Sequence, residues 1–192
     1  MSFKINLNPH YELEGKHAFM APSSPAWTEY DDARLIDAYK KSKAKELGTR
    51  LHAHAAEAIS LRRQQRGHSD TFSMYVNDAI GYRMKPEVGL YAHEKCFGHC
   101  DAFSFDGRTL RIFDLKTGVV IPGKMRQLEV YAALFCIEYG IDPHTIKFDL
   151  RIYQFDNAVC YEPDPDDIEE LMYDKIIHGG KLLTDIDYEE TI

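Results

Sequence analysis

The sequence predicts an α/β fold: a single domain whose central mixed β-sheet contains an antiparallel meander and is flanked by helices. Apolar residues recur with a helical period before Pro86, with a period of two after it, and with a helical period again from residue 124. The 192 residues suffice for one sizeable core, and no repeat or long linker divides them. We therefore expect one domain over residues 1–192, with a helical lead-in (1–47), a core (48–162) and an acidic helix and tail (163–192).

The first part of the chain predicts three helices. Residues 31–47 have few apolar positions and many lysines, which is typical of a helix with one exposed face. Gly48 is expected to interrupt this helix, and residues 49–66 form a second one with an apolar stripe that reaches Leu61. Residues 71–85 form a third helix, which Pro86 stops because the residue before a proline avoids the helical conformation.

Three strands follow the helices and predict the meander. The two-residue segment Asp106-Gly107 is a hairpin signal between the second strand and the third. Because hairpins join antiparallel neighbours, the three strands are expected to pair in chain order. The predicted strands cover residues 88–92, 100–105 and 110–115.

The last third of the chain predicts two more helices around one strand. Residues 124–139 return to a helical period, and residues 146–155 alternate as a strand. Asp164-Pro165 supplies the cap and first residue of a final helix, which Gly179-Gly180 is expected to close. The acidic residues 184–192 are then predicted to be disordered.

The net charge of −8 is concentrated near the C-terminus. Residues 163–192 contain ten acids and two lysines and so carry the whole charge, which leaves residues 1–162 neutral. Within that neutral part, residues 40–66 include eight lysines and arginines. Such a basic stretch suits contact with phosphates, and it is equally the solvated face of a helix. The charge therefore leaves a nucleic-acid partner open.

Composition also bounds the setting of the protein. No apolar run reaches the roughly 18 residues of a membrane span, and the first residues lack the layout of a signal peptide. We therefore expect a cytoplasmic protein with no membrane partner. Cys96 and Cys100 are four residues apart, as in half of a zinc or iron–sulfur site, but no second pair follows at a matching distance, which favours reduced, buried thiols over such a site. The four cysteines are Cys96, Cys100, Cys136 and Cys160.

An aspartate pair near the hairpin is the strongest chemical signal in the chain. Asp101 is placed at the start of the second strand and Asp114 near the end of the third. A turn at Asp106-Gly107 would set Asp114 opposite residue 99 or 100, beside Asp101. Two adjacent carboxylates repel each other unless a cation or a proton neutralises them. The pair therefore predicts either a divalent-cation site or a surface pair neutralised by a lysine.

Lys116 lies two residues after Asp114, so the two side chains share one face of the strand. Leu115 points the other way, but its carbonyl remains within reach of a cation. Carboxylates with a lysine are suited to phosphodiester cleavage, because the acids hold a cation and the lysine polarises water or offsets phosphate charge.

Two further segments carry polar residues with ordinary alternatives. His52 follows Gly48-Thr49-Arg50-Leu51 in the first turn of a predicted helix, where a histidine is also a common boundary residue. Gln127 and Tyr131 are four residues apart and so share one helix face, which alone is unremarkable. Their order along the chain, rather than any one of them, is informative.

Four motifs in this order resemble the PD-(D/E)XK nuclease superfamily, in particular its RecB-like branch, which includes CRISPR-associated and phage-type exonucleases. The resemblance covers roughly residues 20 to 135 and implies a restriction-endonuclease-like core. The motifs are Gly48-Thr49-Arg50-Leu51-His52, Gly98-His99-Cys100-Asp101, Asp114-Leu115-Lys116-Thr117-Gly118 and the helix segment from Gln127 to Ala132.

The resemblance also implies a metal site. His52, Asp101 and Asp114 would ligate Mg²⁺ or Mn²⁺, with the Leu115 carbonyl assisting, and an imidazole ligand suits Mn²⁺ better than Mg²⁺. An acid ahead of the meander would join them, for which Glu87 is the candidate, with Glu94 as its rival and the role of Glu57 open.

The catalytic roles implied by the same motifs fall on three other side chains. Lys116 would orient or activate the attacking water and stabilise the phosphorane, while Gln127 and Tyr131 would hold the phosphate backbone or the lysine. The cysteine spacing does not match the branch that carries an iron–sulfur cluster, so no cluster is expected.

The expected function is that of a Mg²⁺- or Mn²⁺-dependent deoxyribonuclease, an exonuclease of phage-type recombination or DNA end processing. A domain this small, without a helicase, would act as a homo-oligomer or with a recombination partner protein. The alternatives are an endonuclease that nicks or resolves DNA structures, and a catalytically idle nucleic-acid-binding or regulatory module on the same fold.

Overall fold

The computed structural model describes residues 18–67, 69–117 and 125–189, with side chains up to residue 186. The chain divides into two compact units, Met1–Leu47 and Gly48–Ile192. The sheet and every site residue predicted above belong to the second unit. Within the described ranges, no helix is both long enough and apolar enough to cross a membrane.

A five-stranded mixed sheet confirms the predicted α/β class. Its strands are β1 (Lys85–His93), β2 (Cys96–Phe105), β3 (Thr109–Leu115), β4 (Lys147–Gln154) and β5 (Asn157–Tyr161). They lie in chain order across the sheet. The first three form the predicted antiparallel meander, β3 and β4 pair in parallel, and β4 and β5 pair antiparallel. Strand β5 was not predicted.

Helices cover both faces of this sheet. They are α1 (Asp32–Ser60), α2 (Thr71–Gly81), α3 (Met125–Tyr139), α4 (Pro165–Glu170) and α5 (His178–Glu189), with a π-helical turn at Leu171–Ile177 and 3₁₀ turns at Pro25–Glu29 and Pro143–Thr145. One buried cluster joins α3, α4 and the π-helical turn to one face, and a second joins the C-terminal half of α1 and α2 to the other. Apolar burial on both faces is the main stabilising contribution of such a layered fold.

Gly48 does not interrupt the first helix, so the prediction of two separate helices is wrong. Helix α1 runs without a break from Asp32 to Ser60. Gly48 is buried, and a Cβ atom there would lie only 2.8 Å from the Oγ1 atom of Thr117. The glycine therefore permits the close approach of the segment after β3, which is a packing role rather than a helix stop.

The end of α1 also lies earlier than the predicted residue 66. Arg62 has a φ of 54°, and the amide of Arg63 donates to the carbonyl of Ala58 while that of Arg62 donates to Ile59. These bonds close the helix in a Schellman arrangement. Leu61 consequently points to solvent instead of continuing the apolar stripe. Helix α2 ends in the same way, with Arg83 at a φ of 55°, four residues before the predicted end.

The Gly179-Gly180 pair does not close the C-terminal helix, contrary to the prediction. Asp164 caps the start as expected, by accepting a hydrogen bond from the amide of Asp166, but helical structure then continues to Glu189. Gly180 is buried against the ring of His93, where a Cβ would lie 2.6 Å from Nε2. The predicted disorder is therefore wrong for residues 184–189, while residues 190–192 lie outside the described residues.

The four cysteines are all free thiols. Cys100 and Cys136 are buried, as predicted, whereas Cys160 on the last strand is exposed and contradicts the prediction. Burial raises the pKa of the Cys100 and Cys136 thiols to about 12.

Candidate active site

The hairpin between β2 and β3 sets the position of the two aspartates. Its turn lies one residue later than predicted, because the register centres on Gly107-Arg108 and the amide of Asp106 donates to the carbonyl of Thr109. Oδ1 of Asp106 accepts hydrogen bonds from the amides of Arg108 and Thr109. The pairing is therefore offset by two residues from the predicted register, with Ala102 opposite Phe113. If this register is extended by one residue beyond the Ala102–Phe113 pair, Asp101 lies opposite Asp114.

Asp101 lies in the middle of β2, not at its start, and is held by two contacts. Its Oδ2 atom accepts a hydrogen bond from the amide of Leu115 at 2.9 Å and lies 3.3 Å from Nδ1 of His52 on α1. The hydrogen bond with Asp101 raises the pKa of His52, against partial burial, which lowers it. Helix α1 and the end of β3 thus both converge on one carboxylate.

Glu87 joins the same group through an unusual backbone. It lies on β1 at the register position of Asp101, between the pairs Pro86–Ala102 and Val88–Cys100. Its φ of 52° is strained for a residue with a Cβ. Ligand atoms of His52, Glu87 and Asp101 all lie within 4.8 Å of one another. Among the described residues, neither rival acid, Glu94 nor Glu57, belongs to this group.

Asp114 and Lys116 form an ion pair beside this group. Asp114 is 3% exposed, and Nζ of Lys116 lies 2.9 Å from its Oδ1 and 2.8 Å from its Oδ2. Only the Oδ1 contact has hydrogen-bond geometry, so Oδ2 is buried without a hydrogen-bond donor in the described part of the chain. Burial raises the pKa of Asp114, as does the negative charge of Asp101, while Lys116 lowers it.

Gln127 and Tyr131 on α3 have different contacts. Nζ of Lys116 donates its second hydrogen bond, at 3.1 Å, to Oε1 of Gln127. The Tyr131 hydroxyl donates to the carbonyl of His99 at 2.7 Å, and its ring lies against Gly98, where a Cβ would be only 3.1 Å from it. Gln127 therefore touches the lysine, as the motif implies, while Tyr131 holds β2 against α3.

The side chain of Leu115 points away from the carboxylates, as predicted, and is buried in the core. Its amide makes the contact with Asp101 described above. Tyr75 on α2 is buried and was not singled out from the sequence as a site residue. Burial raises its pKa well above the usual value, with further contributions from Asp101 and Asp114.

A second group with metal-ligand atoms lies at the surface. His144, Asp166 and Glu169 bring one ligand atom each within 4.8 Å, but all three side chains are exposed. Nε2 of His144 is 3.3 Å from Oε2 of Glu169, and this contact raises the pKa of His144. An exposed ion pair at the start of α4 accounts for the geometry.

A cavity of about 200 Å³ opens beside Lys116. Its wall includes residues on α1, α2, the end of β3 and the β4–β5 turn. The sequence did not reveal it, because its lining residues other than Lys116 are apolar or small and lie far apart in the chain. They are Leu51, Thr71, Phe72, Leu115, Lys116, Thr117 and Phe155.

Comparisons of the chain with family models, with curated proteins and with solved structures found no match.

Proposed function

We propose that this protein is a metal-dependent DNA nuclease that hydrolyses phosphodiester bonds. The observation that carries the proposal is the grouping of His52, Glu87 and Asp101 next to the Lys116–Asp114 ion pair. The resemblance of its motifs favours an exonuclease of phage-type recombination or end processing, and DNA is accordingly its expected partner.

The donor set fits a divalent cation. Carboxylate oxygens of Glu87 and Asp101 are the hard ligands that Mg²⁺ and Mn²⁺ take, and the imidazole of His52 favours Mn²⁺. Oδ2 of Asp114 is buried and lies 2.8 Å from Nζ of Lys116, but it has no hydrogen-bond donor among the described residues, so a cation would add to the positive charge that it already meets. A bound Mg²⁺ or Mn²⁺ would neutralise the scissile phosphate and lower the pKa of a bound water.

Lys116 is positioned to act on the water or the phosphate. An ammonium group has three donors, and two of them are directed to fixed acceptors, Oδ1 of Asp114 and Oε1 of Gln127. Oδ2 of Asp114 also lies 2.8 Å from Nζ but without hydrogen-bond geometry, so among the described residues one donor is left for a water or a phosphate oxygen. Because its acceptors are rooted on β3 and on α3, the charge is held in place before substrate arrives, which is the condition for electrostatic stabilisation of a transition state.

Asp101 connects the cation ligands to the lysine. The amide of Leu115 fixes one of its oxygens, and Leu115 lies between Asp114 and Lys116 in β3. Any displacement of the end of β3 therefore moves a metal ligand and the lysine together. This coupling supports a single catalytic centre rather than two unrelated surface pairs.

The test is a cleavage assay on labelled linear and circular DNA, both single- and double-stranded, with Mn²⁺, Mg²⁺ or EDTA. We expect cleavage that requires the metal, and a rate at least about 100-fold lower in Lys116→Ala, since the loss of one preorganised charge has effects of that order. Lys147→Ala is the matched control, because Lys147 is exposed on β4. Melting curves establish that each variant is folded.

Each outcome decides between the candidate functions. Absence of metal-dependent cleavage by the wild-type protein would favour the idle nucleic-acid-binding module, and equal rates in Lys116→Ala and wild type would refute the assigned role of the lysine. Cleavage of linear DNA alone indicates an exonuclease, whereas cleavage of closed circular DNA, which has no ends, indicates an endonuclease.

A further inference from the structure

The cavity beside Lys116 has a mainly apolar lining. Lys116, whose Nζ belongs to the ion pair described above, is one of its lining residues, and Leu51, Phe72 and Phe155 supply apolar walls. Its volume of about 200 Å³ is below that of the pockets that hold drug-sized molecules, and so suits a single ring system. The apolar walls and the aromatic lining suit an apolar ring, with Lys116 beside it.

Phe155 reaches the cavity through a strained turn. Phe155 and Asp156 are the two loop residues between β4 and β5, with φ values of 55° and 52°. Hairpin loops of two residues with positive φ strongly favour asparagine, aspartate and glycine, because a Cβ is disfavoured there. A phenylalanine in the first position is therefore costly, and Phe155 is also 57% exposed to solvent.

The turn is nevertheless held firmly in place. Oδ1 of Asp156 accepts hydrogen bonds from both the amide and the hydroxyl of Thr71, at 2.9 and 3.0 Å, and the Thr71 hydroxyl accepts one from the amide of Asp156 at 2.7 Å. Thr71 is the first residue of α2 and also lines the cavity. Phe72, the next residue, is stacked on His54 with ring centroids 5.3 Å apart. Two aromatic residues, Phe72 and Phe155, thus line the cavity, and the backbone next to each is held by hydrogen bonds.

We infer that this cavity receives a nucleobase of a single-stranded DNA substrate, with Phe155 as the stacking residue. The inference rests on the proposed function, because it places a phosphate of the bound strand beside Lys116. An aromatic surface next to a phosphate contact is the arrangement by which proteins bind unpaired strands. A base inside a duplex is paired and stacked, so entry requires an unpaired strand or a frayed end. Strain retained at an exposed aromatic residue is consistent with a binding role.

The test measures binding separately from cleavage. A fluorescein-labelled single-stranded 12-mer and an abasic strand of equal length are titrated with protein in EDTA at low salt, and anisotropy is recorded. We expect Phe155→Asn to weaken binding of the base-containing strand by about 10-fold, in line with the loss of one base–aromatic stack, and to leave the abasic strand unaffected. Phe155→Trp should retain the affinity. Tyr139→Asn is the control, since Tyr139 is also 57% exposed but does not line the cavity.

Thermal stability supplies a second readout that a structural role would not produce. Asparagine accepts positive φ more readily than phenylalanine, so Phe155→Asn should raise the melting temperature by about 2–4 °C while it weakens binding. A lowered melting temperature with unchanged affinity would mean that the ring packs against an apolar segment of this chain, and would overturn the inference. Equal losses on both strands, or an equal loss in Tyr139→Asn, would also overturn it.

Failure of this inference can be told apart from failure of the proposed function. If the wild-type protein cleaves DNA with Mn²⁺ but Phe155→Asn leaves binding and KM unchanged, the nuclease proposal is supported and the base-binding role of the cavity is refuted. If binding depends on Phe155 while the wild-type protein cleaves no DNA, the base-binding role is supported and the nuclease proposal is refuted.

Discussion

Two neighbouring glycines in α5 allow a matched test of the packing of the C-terminal helix. Gly179 and Gly180 share the helical backbone, but a Cβ at Gly179 would meet nothing within 4 Å, whereas one at Gly180 would lie 2.6–2.9 Å from three ring atoms of His93. Replacing a helical glycine by alanine contributes about 1 kcal/mol of stability. Gly179→Ala should therefore raise the free energy of unfolding by about that amount.

Gly180→Ala should lower the free energy of unfolding. The same helical gain of about 1 kcal/mol is opposed by overpacking, which costs about 1–3 kcal/mol. His93 has little freedom to move, because its Nε2 lies 3.1 Å from the carbonyl of Ile176 and its Nδ1 accepts from the amide of Lys95. Loss of the Ile176 hydrogen bond would cost about 1 kcal/mol more. We expect the two variants to differ by about 2–4 kcal/mol.

Urea denaturation and melting curves measure this difference directly. For a chain of this size, 1 kcal/mol corresponds to about 2–4 °C in melting temperature. In a His93→Ala background, Gly180→Ala should lower the free energy of unfolding by less than it does in the wild-type protein, because the His93 ring is absent. Equal stabilisation by Gly179→Ala and Gly180→Ala would refute the contact with His93.

The remaining predictions concern α1 and the cysteines. Gly48→Ala should destabilise the wild-type protein, because its Cβ meets Oγ1 of Thr117 at 2.8 Å. The same substitution should stabilise the Thr117→Ala variant by about 1 kcal/mol. Denaturation of wild type, the two single variants and the double variant checks this, and additive effects of the two substitutions would contradict it. In native protein at pH 8, iodoacetamide should label Cys160 and leave Cys100 and Cys136 intact, because the thiolate is the nucleophile and a pKa of about 12 keeps those buried thiols protonated. Mass spectrometry of the labelled chain reads out the sites, and rapid labelling of Cys100 would contradict its burial.

The errors in the predicted helices have one physical cause. Gly48 and Gly180 both look like helix ends in the sequence, because glycine is a poor helix former and a common stop signal. Both are instead sites where another side chain, Thr117 or His93, approaches the helix axis closely. Such an approach depends on residues 69 and 87 positions away in the sequence, so no local pattern reveals it.

The strand that was missed has a related explanation. Strand β5 follows β4 after two loop residues, which would be an easy hairpin to predict if they were asparagine and glycine. The two loop residues are Phe155 and Asp156. Because Phe155 is apolar and follows an alternating run, the sequence pattern extends the predicted strand through it instead of indicating a turn. The hairpin was hidden by the same phenylalanine for which we propose a binding role, in keeping with the tendency of functional sites to depart from local rules.

The site itself was predicted best where chain geometry alone brings residues together. Asp114 and Lys116 share a strand face by parity, and Asp101 returns beside them through one hairpin, so an error of two residues in register still left the carboxylates adjacent. His52 and Gln127 come from helices whose docking no local rule supplies, and only the order of motifs indicated them. Glu87 was chosen because it precedes the meander. Its backbone at a φ of 52° is a tertiary feature, and its strain is best explained by the carboxylate that it brings to His52 and Asp101.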